Sequence, residues 1–264
     1  MAGMSEKITL LGAGLYTDIP DELTLKSIPT ATELTMAGSE DFDQTMLDTV
    51  LPQCIEEKIN PRSLLEIDYQ WVLRGLRILS YGPIYTVNRI YCDACREWSE
   101  GEFQVNLNTV NINTLPEGFK NEIVISKDEF IQYDKDITIK MLTVQERINS
   151  EKDKMFQING KTNSELARIC YMIRDIGGKQ ADSISSRASI VNNMIDADYR
   201  ILLSKSYELT NYGLTIGGRC GCPKCHSTNA TFMVFVDGRF FRPTLGDLKE
   251  WKTILRSERG DKNV

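Results

Sequence analysis

The sequence predicts an α+β fold made of two related halves that share one zinc-ribbon-like metal site of four cysteines. Three observations carry that prediction. Two short cysteine clusters, Cys92-Asp93-Ala94-Cys95 and Cys220-Gly221-Cys222-Pro223-Lys224-Cys225, each lie between stretches of β character. Long helical patterns separate the two clusters. Several short passages also recur in the same order ahead of each cluster. At 264 residues, 41% hydrophobic and 26% charged, the chain is large enough to bury a stable core without disulfides.

Taken in order, residues 1–23 mix Gly, Asp and Pro around the apolar run Ile8 to Leu11, which reads as an extended N-terminal arm. Its apolar residues Ile8, Leu10, Leu11, Leu15 and Tyr16 either dock on a partner or pack on the arm's own domain. Thr24 to Ile28 alternates as a strand does, and Pro29 ends it. Ser39 is placed as an N-cap. From Glu40 to Lys58 the residues Phe42, Met46, Leu47, Val50, Leu51, Cys54 and Ile55 recur at helical spacing, with Pro52 set to kink or divide the stretch. Asn60-Pro61 opens a second helical region that runs through Trp71 and Leu76 to Tyr81-Gly82, where glycine suits a left-handed cap. Ile84 to Tyr91 and Phe103 to Leu107 are the strands on either side of the first cluster. Asn108 to Leu115, Ile123 to Ile125 and Ile137 to Leu142 continue in β fashion.

Helical periodicity then runs over 143–158, 162–176, 180–193 and 198–211, punctuated by Gly160, Gly177-Gly178 and Tyr212-Gly213. Leu214 to Gly218 enters the second cluster, and Ala230 to Val236 leaves it. Asp237-Gly238 signals a hairpin turn, and Phe240-Phe241-Arg242-Pro243 follows. A last helix over 245–257 carries Leu245, Leu248, Trp251 and Leu255, and the charged tail from Arg256 frays.

The repeated passages suggest a duplication. Thr24-Leu25-Lys26-Ser27-Ile28 with Glu33 resembles Thr138-Ile139-Lys140-Met141-Leu142 with Glu146. Asp68-Tyr69, Tyr81-Gly82 and Cys92-x-x-Cys95 are matched by Asp198-Tyr199, Tyr212-Gly213 and Cys222-x-x-Cys225. The chain then divides into an arm (1–23), a first half with Cys92 and Cys95 (24–133), a second half with Cys220, Cys222 and Cys225 (134–244), and a C-terminal helix and tail (245–264). If the halves pack about a pseudo-twofold axis, the two knuckles meet on one zinc ion and staple the halves together.

Zinc takes four ligands in a tetrahedron, and Cys92, Cys95, Cys222 and Cys225 supply a complete structural set. Cys220 is a possible substitute. His226, the single histidine of the chain, follows Cys225 directly and would be a strained ligand. The competing reading is a pair of unbound thiols or a redox pair, but a redox CxxC opens a helix after a strand, whereas these lie between strands. Cys54 and Cys170 fall inside apolar helical patterns and read as core thiols. A catalytic zinc keeps one position open, and no base lies at metal-motif spacing. Phosphate loops and nucleophile elbows are absent. Gly12-Ala13-Gly14 lacks a third glycine partner, and Asp196 with Asp198 reads as charge at a helix N-terminus. No enzyme is expected.

Arg89, Arg96, Lys224, Arg239 and Arg242 lie near the cysteines, with Tyr91, Trp98 and Phe240 interleaved. That chemistry suits a nucleic-acid-binding ribbon. The plainer reading has the aromatics filling the small core beside the metal and the arginines solvated. A formal net charge of −6 favours the plainer one. The chain shows neither a charged-then-apolar leader nor an apolar run of membrane-spanning length, so synthesis and assembly in a cytosol are expected.

Leu64-Leu65-Glu66-Ile67-Asp68-Tyr69, then Leu76-Arg77-Ile78-Leu79-Ser80-Tyr81-Gly82, Tyr85 and Cys92-Asp93-Ala94-Cys95, are similar to the baseplate hub proteins of T-even-type contractile-tailed phages. In that family a helix ending in R-x-x-S-Y-G leads to a CxxC turn. Cys222-x-x-Cys225 and Phe240-Phe241-Arg242-Pro243 resemble its C-terminal part, so the likeness spans residues 20 to 245. Cys220-Gly221-Cys222 has no place in that pattern. The resemblance implies a structural or assembly protein of the virion tail baseplate, assembled in the host cytoplasm and docking on other tail proteins at the central hub. It implies no catalytic role and no membrane partner.

Overall fold

The computed structural model describes residues 4–37, 39–158, 161–181, 183–214, 218–228, 230–232, 240–241 and 245–258, and they form a mixed α+β protein. The chain opens with an antiparallel hairpin, β1 (Ser5–Thr9) and β2 (Glu22–Lys26). Helices α1 (Thr30–Ala37), α2 (Phe42–Thr45), α3 (Leu51–Cys54) and α4 (Glu66–Tyr81) follow. Then come β3 (Ile84–Cys92), β4 (Glu97–Asn106), β5 (Ile112–Asn113), β6 (Ile123–Ile125) and β7 (Ile137–Ile139).

The next stretch holds α5 (Val144–Lys152), β8 (Gln157–Ile158), β9 (Lys161–Thr162), α6 (Ser164–Met172), β10 (Ile173–Ile176), β11 (Lys179–Gln180), α7 (Ile184–Asn192) and α8 (Asp196–Thr210). The chain continues through β12 (Gly213–Leu214), β13 (Gly218–Cys220), β14 (Ala230–Phe232) and α9 (Leu245–Glu258). Gly160, Met233 to Val236, the Asp237-Gly238 turn signal, Arg239, Arg242-Pro243 and the tail beyond Glu258 lie outside the described residues.

Several local outcomes differ from the sequence reading. Asp41 rather than Ser39 caps the helix that follows, its carboxylate accepting the Gln44 N–H at 3.0 Å. Three larger differences each have a physical reason. The N-terminal stretch is no free arm. Its residues Ser5–Thr9 pair with β2 over the whole strand, Leu10 is buried, and Ile8, Leu11, Leu15 and Tyr16 pack partly buried against the cores. Pro52 does not kink one long helix. The turns before it widen into a π-helical segment, Met46–Val50, with Leu51 N–H donating to the Met46 carbonyl, and Pro52 sits in the first turn of α3, where its missing N–H costs little. Ile173–Ile176 leaves the helical pattern and becomes a strand paired with β7. Gly177 and Gly178, with φ of +60° and +72°, turn it into β11.

The buried side chains gather in two clusters. The first takes Leu23 and Leu25 of β2, Leu47 and Val50 of the π-helical segment, and Val72, Leu73 and Leu76 of α4. Each such side chain contributes about 2 kcal/mol on burial. Ile90 and Cys92 of β3 join this cluster, and so do Cys222, Phe240, Phe241 and Trp251 from the far end of the chain. The second cluster holds Ile125, Ile137, Ile139, Ile169, Cys170, Ile173, Leu202 and Leu209, and α4 reaches it through Ile67. The second knuckle therefore packs in the first cluster. The buried side chains do not divide at the expected 133/134 boundary. Residues from β6 to α8 form a lobe inserted between the two cysteine hairpins, except that Val144 and Ile148 of α5 are buried in the first cluster.

The four-stranded sheet explains this. Its order is β13-β14-β3-β4, with Ala230, Thr231 and Phe232 opposite Cys92, Tyr91 and Ile90. A twofold axis between the hairpins would set equivalent strands side by side. Instead β14, which leaves the second knuckle, lies against β3, which enters the first.

Other paired features do recur. Asp68 and Asp198 are each the third residue of a helix, and both are buried. Asp68 accepts the N–H groups of Leu11 (2.6 Å) and Gly12 (3.2 Å), in the β1–β2 connection. Asp198 accepts those of Ile131 (2.5 Å), Gln132 (3.1 Å) and Tyr133 (2.9 Å), in the β6–β7 connection. Asp198 thus stands in the first turn of its helix, as its place in the sequence suggested, and also anchors a buried loop. The bridge between Leu25 and Ile55 has its counterpart in the pairing of Ile139 with Ile173. Gly82 and Gly213, each following the helix that carries its aspartate, have φ of +86° and +96°.

Candidate metal centre

Each knuckle is the turn between two antiparallel strands. β3 and β4 pair up to Cys92 opposite Glu97, and β13 and β14 pair up to Cys220 opposite Ala230. Because β14 zips along β3, both turns emerge at the same end of one sheet. Cys92, Cys95, Cys222 and Cys225 then bring their sulfurs within 4.8 Å of one another. The first cysteine of each knuckle faces the second of the other: Cys92 to Cys225 is 3.5 Å, and Cys95 to Cys222 is 3.9 Å. A metal–sulfur bond of about 2.3 Å implies tetrahedron edges of about 3.8 Å. The thiol set fits an ion of that size, and it is drawn across 127 residues of sequence. The cross-pairing also shows that the sulfurs keep a local twofold relation that their strands do not.

The backbone around the knuckles is turned toward the sulfurs. The residue after each second cysteine, Arg96 and His226, has φ of +56° and +58°, the described non-glycine residues in the left-handed region. That turn lets the following backbone N–H face the sulfur, from Glu97 onto Cys95 and from Ser227 onto Cys225. Cys222 N–H donates to the Ser227 carbonyl at 2.8 Å and His226 N–H to the Cys222 carbonyl at 2.9 Å, closing the second loop.

The thiols differ in how readily they give up a proton. N–H groups of Cys225 and Lys224 aimed at Cys222 outweigh its burial and hold that thiol down to about 7. Burial and the neighbouring thiols push Cys95 up to about 12. Each cysteine binds a metal as its thiolate, so occupation of the full set releases protons.

The four predicted ligands are the ones brought together. Cys220 sits half-buried on β13, outside the group of four, and packs against the first cluster. His226 is exposed and serves the turn through its backbone. Cys54 and Cys170 are fully buried, and burial raises their thiols to about 11 and about 12.

Among the residues weighed for nucleic acid, Phe240 is buried in the first cluster. Trp98 is 49% exposed, with the Arg89 guanidinium 4.1 Å from its ring centre and the Tyr91 ring at 5.1 Å. Lys224 donates to Glu97 Oε2 at 2.7 Å and to the Trp98 carbonyl at 3.1 Å, so its charge is already matched.

Sequence reasoning did not single out Arg77 as a site residue, although it stands in the R-x-x-S-Y-G passage. It is fully buried and donates to three backbone carbonyls, those of Phe240 (2.8 Å), Gly82 (2.8 Å) and Ile84 (3.0 Å). The available signal was an arginine on the apolar face of a helix, four residues before its final tyrosine.

Fold and site together define an α+β protein with a ribbon-type cluster of four cysteines able to hold a metal ion. No protein family, no curated protein and no solved structure matches the chain. Among the described residues no helix is long and apolar enough to cross a membrane.

Proposed function

We propose that this chain is a structural or assembly component of a contractile phage tail baseplate, docking at the central hub and carrying one structural zinc on Cys92, Cys95, Cys222 and Cys225. The observation that carries the metal part is the convergence of four sulfurs within 4.8 Å from two distant knuckles. A closed thiolate set leaves no place for a substrate or an activated water, which favours a structural role over catalysis. Zinc is favoured over other ions because four thiolates in a tetrahedral arrangement suit it and no redox partner is needed.

The hub reading rests on the resemblance of the Leu64–Tyr69 and Leu76–Gly82 passages and the knuckles. Arg77, Tyr81 and Gly82 stand at one junction between α4 and the ribbon, which gives that passage a physical reason to exist as a unit. The paired aspartate anchors, Asp68 and Asp198, support an origin of the first and inserted lobes by duplication.

Two measurements test the reading. Elemental analysis of protein purified without chelator is expected to give one zinc per chain. A tagged copy expressed during infection is expected to copurify with baseplate intermediates, and recovery with nucleic acid in a salt-sensitive complex instead would sink the hub assignment in favour of a nucleic-acid-binding ribbon.

A further inference from the structure

The contact between the first lobe and the inserted lobe leaves a matching pair of surfaces unused. We infer that this unused pair joins one chain to the next, so that the protein associates head to tail with a second copy of itself. The 28–30 turn and Leu34 of one copy take the 194–196 turn of its neighbour. The inference uses none of the four cysteines and stands whether or not they hold a metal.

The two lobes place the same turns at the same points. Leu25 of β2 bridges to Ile55, and Ile139 of β7 pairs with Ile173. Four residues on, each strand leads into a helix. The Glu33 N–H donates to the Pro29 carbonyl and the Arg147 N–H to the Thr143 carbonyl, both at 3.0 Å. Ahead of the two aspartates, the Tyr69 N–H donates to the Leu65 carbonyl (2.9 Å) and the Tyr199 N–H to the Ile195 carbonyl (3.0 Å). Ile28, Pro29, Thr30 and Leu34 of the first lobe therefore correspond to Leu142, Thr143, Val144 and Ile148 of the inserted one. In the same way 64–66 corresponds to 194–196.

Inside the chain, the 64–66 turn of the first lobe is joined to the 142–144 turn of the inserted lobe. Leu65 bridges to Thr143, the Glu66 N–H donates to the Leu142 carbonyl (3.1 Å), and the Val144 N–H donates to the Leu64 carbonyl (2.8 Å). Val144 and Ile148 bury in the first cluster. A twofold pair of lobes would repeat this contact between 194–196 and 28–30. Among the described residues it is not repeated: the N–H groups of Thr30 and Asp196 have no acceptor, and the carbonyls of Ile28 and Met194 have no donor. Thr30 is exposed where Val144 is buried, and Leu34 is 71% exposed where Ile148 is 7%. Tyr69 shares Asp43 with Arg147 of α5 and is buried, while its counterpart Tyr199 is only half-buried. One exposed leucine carries little weight alone. Leu34 stands where its counterpart shows what covers it.

The occupant is a second copy because each unused surface is the complement of the other. The internal contact uses N–H groups at the first residue of a helix, Glu66 and Val144, and the unused N–H groups of Asp196 and Thr30 also stand at first residues. Pro29 removes only an N–H that the contact does not use, since Thr143 spends its own on Glu146. A contact between two different surfaces does not close in a pair; it adds copies until a ring shuts or a row forms. Thr30 in place of Val144 buries less apolar area, so this association is weaker than the internal contact and depends on concentration.

Sedimentation of the full chain over a concentration series tests this. The mass is expected to rise beyond one chain as concentration increases. Leu34→Glu alters an exposed side chain, and is expected to weaken association by at least about ten-fold by placing a charge in the contact. Thr30→Pro and Asp196→Pro each remove one unused N–H at a helix position that tolerates proline, and are expected to weaken it with the circular dichroism unchanged. Mixing Leu34→Glu with Asp196→Pro is expected to restore association and stop it at two chains, since each variant keeps the face that the other has lost. Leu34→Glu mixed with Thr30→Pro, which spoil the same face, is expected to stay single.

A chain that stays single up to its solubility limit overturns the inference, and so does an assembly that Leu34→Glu leaves intact. An assembly lost in Leu34→Glu but kept in folded Asp196→Pro would be a symmetric pairing of α1 faces, which also overturns it.

Discussion

At Gly82 the chain leaves α4 with φ of +86° and ψ of 170°, a backbone state nearly reserved for glycine. The same position has no room for a side chain, because Trp251 occupies it. Gly82→Ala is expected to destabilise the protein by about 3 kcal/mol or more, read as a lower urea midpoint in zinc-loaded protein. The cysteines divide just as sharply. Cys92→Ser, Cys95→Ser, Cys222→Ser and Cys225→Ser should each lose tightly bound metal. Cys220→Ser and His226→Ala should keep it, since neither residue belongs to the group of four. Metal retained in full by Cys92→Ser would mean that the knuckles do not share one ion.

The buried aspartates give opposite pH signatures. For Asp198, burial is outweighed by the N–H groups of Ile131, Gln132 and Tyr133, and the carboxyl lies below its usual range. Its folded state binds a proton less readily than its unfolded state, so its stabilisation is present above about pH 4 and is lost as pH falls through the folded value. For Asp68, burial prevails over the Tyr16 hydroxyl and the N–H groups of Gly12 and Leu11, and the carboxyl is raised. Its contribution is therefore present at low pH and is lost as pH rises through the raised value. Asp198→Asn should flatten the acid limb of the stability curve. Asp68→Asn should remove a slope of the other sign. Urea midpoints across the acid range measure both.

At the scale of elements, the inserted lobe is tied to the first by α5. Arg147 donates to Asp43 at 2.6 Å, and Tyr69 Oη donates to the other oxygen of the same carboxylate at 2.9 Å. Arg168 pairs with Glu66, and an isolated bridge joins Leu65 to Thr143. Arg147 is only 14% exposed in its side chain, so Arg147→Ala leaves Asp43 short of its cation and should cost about 1–3 kcal/mol. A double-mutant cycle with Asp43→Ala separates that coupling from the rest of the loss.

Much at this scale was legible. The apolar stripe and glycine stop placed the end of α4, and the two knuckles were readable from their spacing and flanking strands. Ile173–Ile176 was not, because four residues of apolar pattern suit a helix end and a buried strand equally, and only pairing with β7 decides between them. The widened turn before Pro52 was equally hidden, since a proline announces a break but not its form.

At the scale of the whole molecule, the sequence pointed to two halves meeting at a metal, whereas the side chains form one body interrupted by a lobe. The reason lies in non-local pairing. Nothing within Ala230–Phe232 reveals that its partner is Ile90–Cys92 rather than a strand of its own half. Asp198 was hidden in the same way, since its partners lie 65 to 67 positions away.

That interrupted body has a consequence for how the protein is made. A ribosome that has just released Cys95 must add 127 more residues before Cys222 exists. At about 5–20 residues per second, the interval is roughly 6 to 25 seconds. During it the intervening lobe can pack against Leu65 and Ile67 of the earlier body, which waits with its sheet edge bare and two thiols uncommitted. The first part to be synthesised is then the last to be finished. For this chain the vulnerable nascent state is its N-terminal body, and that is where a holding chaperone or an early metal encounter would act.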